Sequence, residues 1–191
     1  MLNQAVQSSR SVDNAGVRAP ETLLRSLPQG LERGSDGCEV IPAQNIQPFK
    51  GPHGNYKSRN GVKVFSGAST APPFLSQNFN AVERFSIVIH HLATVFKLHL
   101  RTVAIYYEPT GNTIAFNSNK ALYFNLRFFC ALHQNSVDSY YYACYSYWYM
   151  TFAHELAHNL VSAHNKEHGS FTESIAALYL PDFVKLMSHI P

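Results

Sequence analysis

Between Val137 and Val161 the chain contains neither Gly nor Pro, and near the end of that run stands His154-Glu155-Leu156-Ala157-His158. One long helix through Tyr140, Cys144, Tyr147, Met150, Phe152, Leu156 and Leu160 is the simplest reading, and because it is apolar nearly all round it is expected to be largely buried. On a helix, residues i and i+4 stack one turn apart on a single face. Both imidazoles can therefore reach one metal ion while the Glu projects beside them. The pattern predicts a zinc site with a carboxylate placed to move a proton.

The rest of the chain divides near residue 75. Residues 1–75 are rich in Ser, Gly, Pro, Asn and Gln, with Pro28-Gln29-Gly30, Gly51-Pro52, Asn60-Gly61 and Pro72-Pro73 interrupting any periodic pattern. Such a stretch buries too little apolar surface to offset its ordering entropy, so it reads as a flexible leader. From Asn78 onward Val82, Phe85, Ile89, Leu92, Val95 and Phe96 recur at helical spacing as far as His99 to Arg101. Val103 to Tyr107 reads as a strand, Glu108 to Asn112 as a turn and Thr113 to Phe116 as its hairpin partner. Ala121 to Asn125 reads as a third short strand, and Leu126 to Leu132 fits strand or helix. Ala163 to Ser170 is polar and breaks the long helix. Phe171 to Leu180 and Phe183 to Met187, separated by Pro181, read as closing helical pieces. The expected fold class is α+β over residues 76–191: an N-terminal helix, a short mostly antiparallel sheet and the long active-site helix.

Composition narrows the classes of function. The chain has 191 residues, 46% of them hydrophobic and 13% aromatic, enough for one domain with a core. Its 15 Lys and Arg are scattered and the net charge is only +3, so no nucleic-acid footprint is visible. Cys38, Cys130 and Cys144 are odd in number and lack C-x-x-C spacing, which argues against a disulfide framework and against a thiolate zinc site. The N-terminus has no apolar signal core, and no run approaches the roughly 20 apolar residues of a membrane span. An intracellular protein, cytoplasmic or nuclear, is expected.

Two histidines do not complete a catalytic zinc site, which normally uses three protein ligands and leaves a fourth position for water. His164, His168 and Glu173 are the downstream candidates. The run H-E-x-x-H-x-x-x-x-x-H, with His164 ten residues after His154, resembles that of metzincins and of the WLM branch of the SprT-like proteases, and the resemblance implies His164 as the third ligand. Val161 stands where the metzincin run has a Gly, and Ser162-Ala163 where WLM sequences tend to have Gly-Pro. A β-branched residue suits positive φ poorly, yet the helix must end near there for His164 to reach the site. Glu173 would make a His2Glu site from the next helix, and His168 would need the loop to fold back. With Zn2+ in place, Glu155 is the expected general base, a role in which Asp would fall one methylene short and Gln could not accept the proton. The strand Ala121 to Asn125 is placed as the zincin edge strand, along which an extended polypeptide substrate adds by main-chain hydrogen bonds.

Each feature has a plainer reading. His154 and His158 could be satisfied core histidines. A zinc-bound but inactive protein-interaction module keeps the metal and loses the chemistry. Tyr140, Tyr141, Tyr142, Tyr145, Tyr147 and Tyr149 cannot all face one site, so packing explains them better than transition-state donation. His90, His91, His99, His133 and His189 lack ligand partners at helical spacing and read as core or solvated residues.

The run IAFNSNKALYFNLRFF followed by WYMTFAHELAHNLVSAHNKEH resembles the C-terminal zincin-like segment of very large fungal proteins of the sacsin type, which also carry a histidine-kinase-like ATPase module. The resemblance spans roughly the last 110 residues. It implies a minimal zincin core, a metallopeptidase activity and a setting in protein quality control or processing. The ATPase module is not in this sequence, which fits either a piece of a longer ancestor or a stand-alone gene.

Overall fold

Five strands form the central sheet, and their period-two alternation sorts side chains between its faces. A computed structural model describes residues 46–51, 54–67, 77–110, 113–133 and 141–190. The elements are β1 (Ile46–Pro48), β2 (Lys50–Gly51), β3 (Gly54–Asn55), β4 (Lys63–Gly67), α1 (Phe79–Val95), β5 (Val103–Tyr107), β6 (Ala115–Ser118), β7 (Ala121–Asn125), α2 (Leu126–His133), α3 (Tyr141–Ala157) and α4 (Lys166–Met187). The sheet order is β1-β4-β5-β7-β6, and β2-β3 is a separate small hairpin. The outer pairings β1–β4 and β6–β7 are antiparallel, and the inner pairings β4–β5 and β5–β7 are parallel. The α+β class holds, with a mixed sheet.

Register fixes the core face. Val64, Ile105, Phe124 and Ala115 lie side by side across four strands, each at most 1% exposed. Two positions along β6 from Ala115, Asn117 shares that face. Helices cover it: Phe152 of α3 stacks on Phe124 with ring centroids 4.2 Å apart and on Phe96 at 5.5 Å, while Trp148 lies 4.6 Å from Phe85, itself stacked on Phe129. Burying each such ring stabilises the fold by roughly 1.5–3 kcal/mol before entropy is counted.

The turns follow from local chemistry. Asn119 and Lys120 join β6 to β7 with φ of 51° and 63°, the two positive values that a two-residue type I′ turn demands. After α1, Lys97 takes φ 56°, its N–H donates to Thr94 O, and Leu98 N–H reaches back to Ala93 O, which caps the helix in a Schellman arrangement.

Several expectations change. Residues 46–67, read as part of the leader, supply β1 to β4, and β4 is knit into the main sheet by its parallel pairing with β5. Short strands without an alternating pattern gain their stability from neighbours far along the chain, so local composition missed them. Residues 1–45, 52–53 and 68–75 of that leader, Cys38 among them, lie outside the described residues. Ala115–Ser118 pairs with β7 rather than with β5, because the tighter turn at Asn119–Lys120 takes precedence over the longer connection. Consequently Ala121–Asn125, taken as the edge, is paired on both sides, and the edge is β6. Leu126–His133 is helical, its start capped by Asn125 Oδ1 accepting from Arg127 N–H at 3.0 Å. Pro181 does not divide the closing helix. It lies on the exposed side of α4, as does Ala177, the residue four positions earlier whose helical hydrogen bond a proline removes. No helix among the described residues is long and apolar enough to cross a membrane.

Candidate metal centre

Helix α3 carries His154 and Glu155 in its last turn and ends at Ala157; residues 137–140, the expected start of the run, lie outside the described residues. The chain leaves helical geometry at once. Asn159 N–H donates to Leu156 O, and Leu160 and Val161 N–H both donate to Ala157 O, so the exit is a tightened final turn. Among the described non-glycine residues only Lys97, Asn119 and Lys120 have positive φ. Val161 therefore makes the return without the left-handed conformation for which a Gly would be needed.

Asn165 then restarts the helix. Its backbone is extended and its Oδ1 accepts from His168 N–H at 2.9 Å, an N-cap that opens α4 with His168 in the first turn. The segment 166–170 is thus helix rather than loop. Helix α4 returns along α3, where Phe183 stacks on Tyr149 at 4.3 Å and the Tyr149 hydroxyl donates to Ala176 O. This packing carries His168 back onto the end of α3.

Four histidines meet there. His154, His158, His164 and His168 offer ring nitrogens that all lie within 4.8 Å of one another, close enough to hold a metal ion. The Nε2 atoms of His154 and His164 are 3.2 Å apart. Two imidazole nitrogens bound tetrahedrally to one zinc at about 2.0–2.1 Å would be about 3.3 Å apart. The ring centroids of His158 and His168 are 4.2 Å apart, and those of His154 and His168 4.6 Å.

Tautomers and burial favour ligation. His158 Nδ1 lies 3.2 Å from Val161 O, to which it donates as an N–H, leaving Nε2 as the lone-pair nitrogen. A backbone hydrogen bond at His154 likewise holds the His168 ring. The Nε2 atoms of His158 and His168 are buried without a hydrogen-bond partner among the described residues, an arrangement that costs free energy unless something binds there. Burial above all, then the nearby His168, holds His158 below the ordinary histidine range; burial and then His164 do the same for His168. Neutral imidazoles are the form a metal requires. The donor set is all imidazole nitrogen, a type of ligand that suits zinc and other divalent transition ions.

Glu155 is 1% exposed. Its charge adds to the upward push on the Tyr106 phenol, after burial and Glu108. The edge strand β6 is fastened to the same turn: Asn117 Nδ2 donates to Glu155 O and to Asn159 Oδ1, each at 2.9 Å.

Of the residues singled out from the sequence, Glu155 is buried beside His154 in the chain on α3 but outside the histidine group, and His154, His158 and His164 come together. Glu173 does not: it is exposed on α4 and outside the histidine group. His168 joins the group because it is helical rather than in a loop, a fact that Asn165 three positions earlier could have signalled. Tyr145 and Tyr149 of α3 are buried in packing and Tyr141 and Tyr147 partly so, while Tyr142 is exposed and Tyr140 lies outside the described residues. Tyr145 is fully buried with its hydroxyl 2.8 Å from His91 Nδ1, and Tyr141 stacks on Tyr145. Comparison with family models, with curated proteins and with solved structures returned no match.

Proposed function

We propose that the chain is a zinc-dependent peptidase whose centre lies where α3 gives way to α4. The observation that carries this reading is the convergence of four imidazoles on one point. Bound there, Zn2+ supplies a Lewis acid that brings the pKa of water toward about 7 and polarises an acyl oxygen. The four histidines would hold the ion, with His158 and His168 oriented by backbone hydrogen bonds. Glu155 accepts the proton of the attacking water and returns it to the leaving amine. Its burial strengthens that exchange by excluding bulk solvent.

An extended polypeptide would lie along β6. Among the described residues this strand pairs on one side only, with β7, so its other side offers main-chain donors and acceptors to an added strand. Asn117 ties that strand to the carbonyl of Glu155 and so sets the depth at which a peptide bond meets the site.

One observation favours a second reading. Four histidines can close a tetrahedral shell, which is the coordination of structural rather than catalytic zinc. An inactive zinc-bound interaction module would have this appearance. The two readings separate on Glu155→Gln loaded with one equivalent of zinc. As a peptidase, the wild type cleaves a denatured protein and the variant retains zinc but loses at least about a hundredfold in turnover. Equal absence of cleavage by both zinc-loaded forms would favour the module.

A further inference from the structure

The four histidines are not equivalent, and their differences assign them different parts in the metal reading on which this inference rests. His154 stands on α3 and His158 in the turn that directly follows it, with Nδ1 of His158 committed to Val161 O. His168 is 3% exposed, its backbone N–H is capped by Asn165, and its ring is tied by a backbone hydrogen bond at His154. His164 differs in each respect. It lies in the non-helical return, where Ser162, Ala163, His164 and Asn165 are all exposed, and its ring stands against the three other imidazoles. Its one ring hydrogen-bond partner among the described residues is His154 Nε2, the very atom that a metal would claim.

A ligand is held in place by what stands behind it: backbone hydrogen bonds hold the His158 and His168 rings and helix α3 carries His154, whereas His164 sits on an exposed return. Hydrolysis needs an open coordination position, which a shell of four imidazoles denies. We infer that the four-histidine arrangement is a closed, latent form of the centre: His154, His158 and His168 are the resident ligands, and His164 is an exchangeable fourth ligand whose departure opens the position for water and a substrate carbonyl. The spacing resemblance that points to His164 as the third ligand is thereby reassigned to His168. Exchange requires only that residues 162–165 swing outward, and these side chains are not buried against the core.

The test uses the full chain as wild type and as His158→Ala, His164→Ala and His168→Asn, with zinc content measured after desalting and acetohydroxamate binding followed by the visible spectrum of the cobalt-loaded forms. Wild type is expected to keep one equivalent of zinc and His158→Ala to lose it, which is the requirement of the metal reading itself. His164→Ala keeps its equivalent and binds acetohydroxamate at least about tenfold tighter than wild type, because no imidazole competes for the open position. His168→Asn loses zinc; should it fail to fold, the exposed His164→Ala variant decides alone. Loss of zinc by His164→Ala, or unchanged acetohydroxamate affinity in it, would overturn the assignment while leaving the metal reading intact, as would full zinc retention by folded His168→Asn. Equal zinc content in wild type and His158→Ala would overturn both.

Discussion

Asn117 Nδ2 donates to the main-chain oxygen of Glu155 across 2.9 Å, so a side chain of the edge strand satisfies a carbonyl at the end of the helix that carries the proposed base. The relationship follows from register: Asn117 faces the helices because Ala115, two residues earlier, sits in the core. Asn117→Ala is expected to cost about 1 kcal/mol, seen as a fall in Tm of roughly 2–4 °C. It should also raise KM for a polypeptide more than it lowers kcat, while zinc content stays at one equivalent. Unchanged stability would show that the tether is not used.

Capping of α4 should matter to the metal as well as to the fold. Asn165→Ala removes the acceptor of His168 N–H and is expected to cost about 1 kcal/mol, whereas Asn165→Asp keeps an oxygen in place and most of the stability. If His168 is a resident ligand, zinc affinity falls in the Ala variant and recovers in the Asp variant. Denaturant titrations with and without zinc check both parts.

Metal removal should weaken the fold. Ligands contributed by two helices and the turn between them bind the folded chain and not the unfolded one, so zinc at a hundred times its Kd adds about 2.7 kcal/mol. Thermal unfolding before and after chelation should show the difference, and His154→Ala should abolish it. A chelator that leaves Tm unchanged would argue against a site shared by α3 and α4.

His133 gives a separate signature of acid sensitivity. Burial among Phe129, Tyr147 and Trp148 lowers its pKa from 6.5 to about 4. Between these values the unfolded chain binds a proton that the folded chain refuses, so stability falls as pH drops from about 6.5 towards 4 and is unaffected above that window. The loss amounts to at most ~3 kcal/mol. His133→Phe, compared with wild type in chelator, should flatten this part of the pH profile. Parallel profiles for the two would contradict the assignment.

Much of the centre is legible in the sequence, because His154, Glu155 and His158 act through helical spacing alone, which needs no knowledge of the rest of the fold. His164 follows from the resemblance of its spacing. What the sequence conceals depends on partners distant in the chain. Strands β1 and β4 are short and carry Pro48 and Gly67, and they join the sheet because β5 offers β4 a parallel partner. The place of Ala121–Asn125 inside the sheet rests on a turn at Asn119–Lys120 with two positive φ values, which no Gly announces. His168 reads as a loop residue until Asn165 is seen to cap a helix that packs back on α3. The passage of that helix through Pro181 goes with packing of Tyr179 on Phe96 and Phe183 on Tyr149 on either side of it.

The central claim, that imidazoles from α3 and from the return into α4 form one metal centre, is tested most directly by zinc K-edge X-ray absorption on the chain loaded with one equivalent of zinc. The expected spectrum has a first shell of nitrogen or oxygen at about 2.0–2.1 Å with the outer-shell scattering of three or four imidazoles, reduced in His158→Ala. A sulfur shell at about 2.3 Å, or zinc that retains no imidazole scattering, would contradict it.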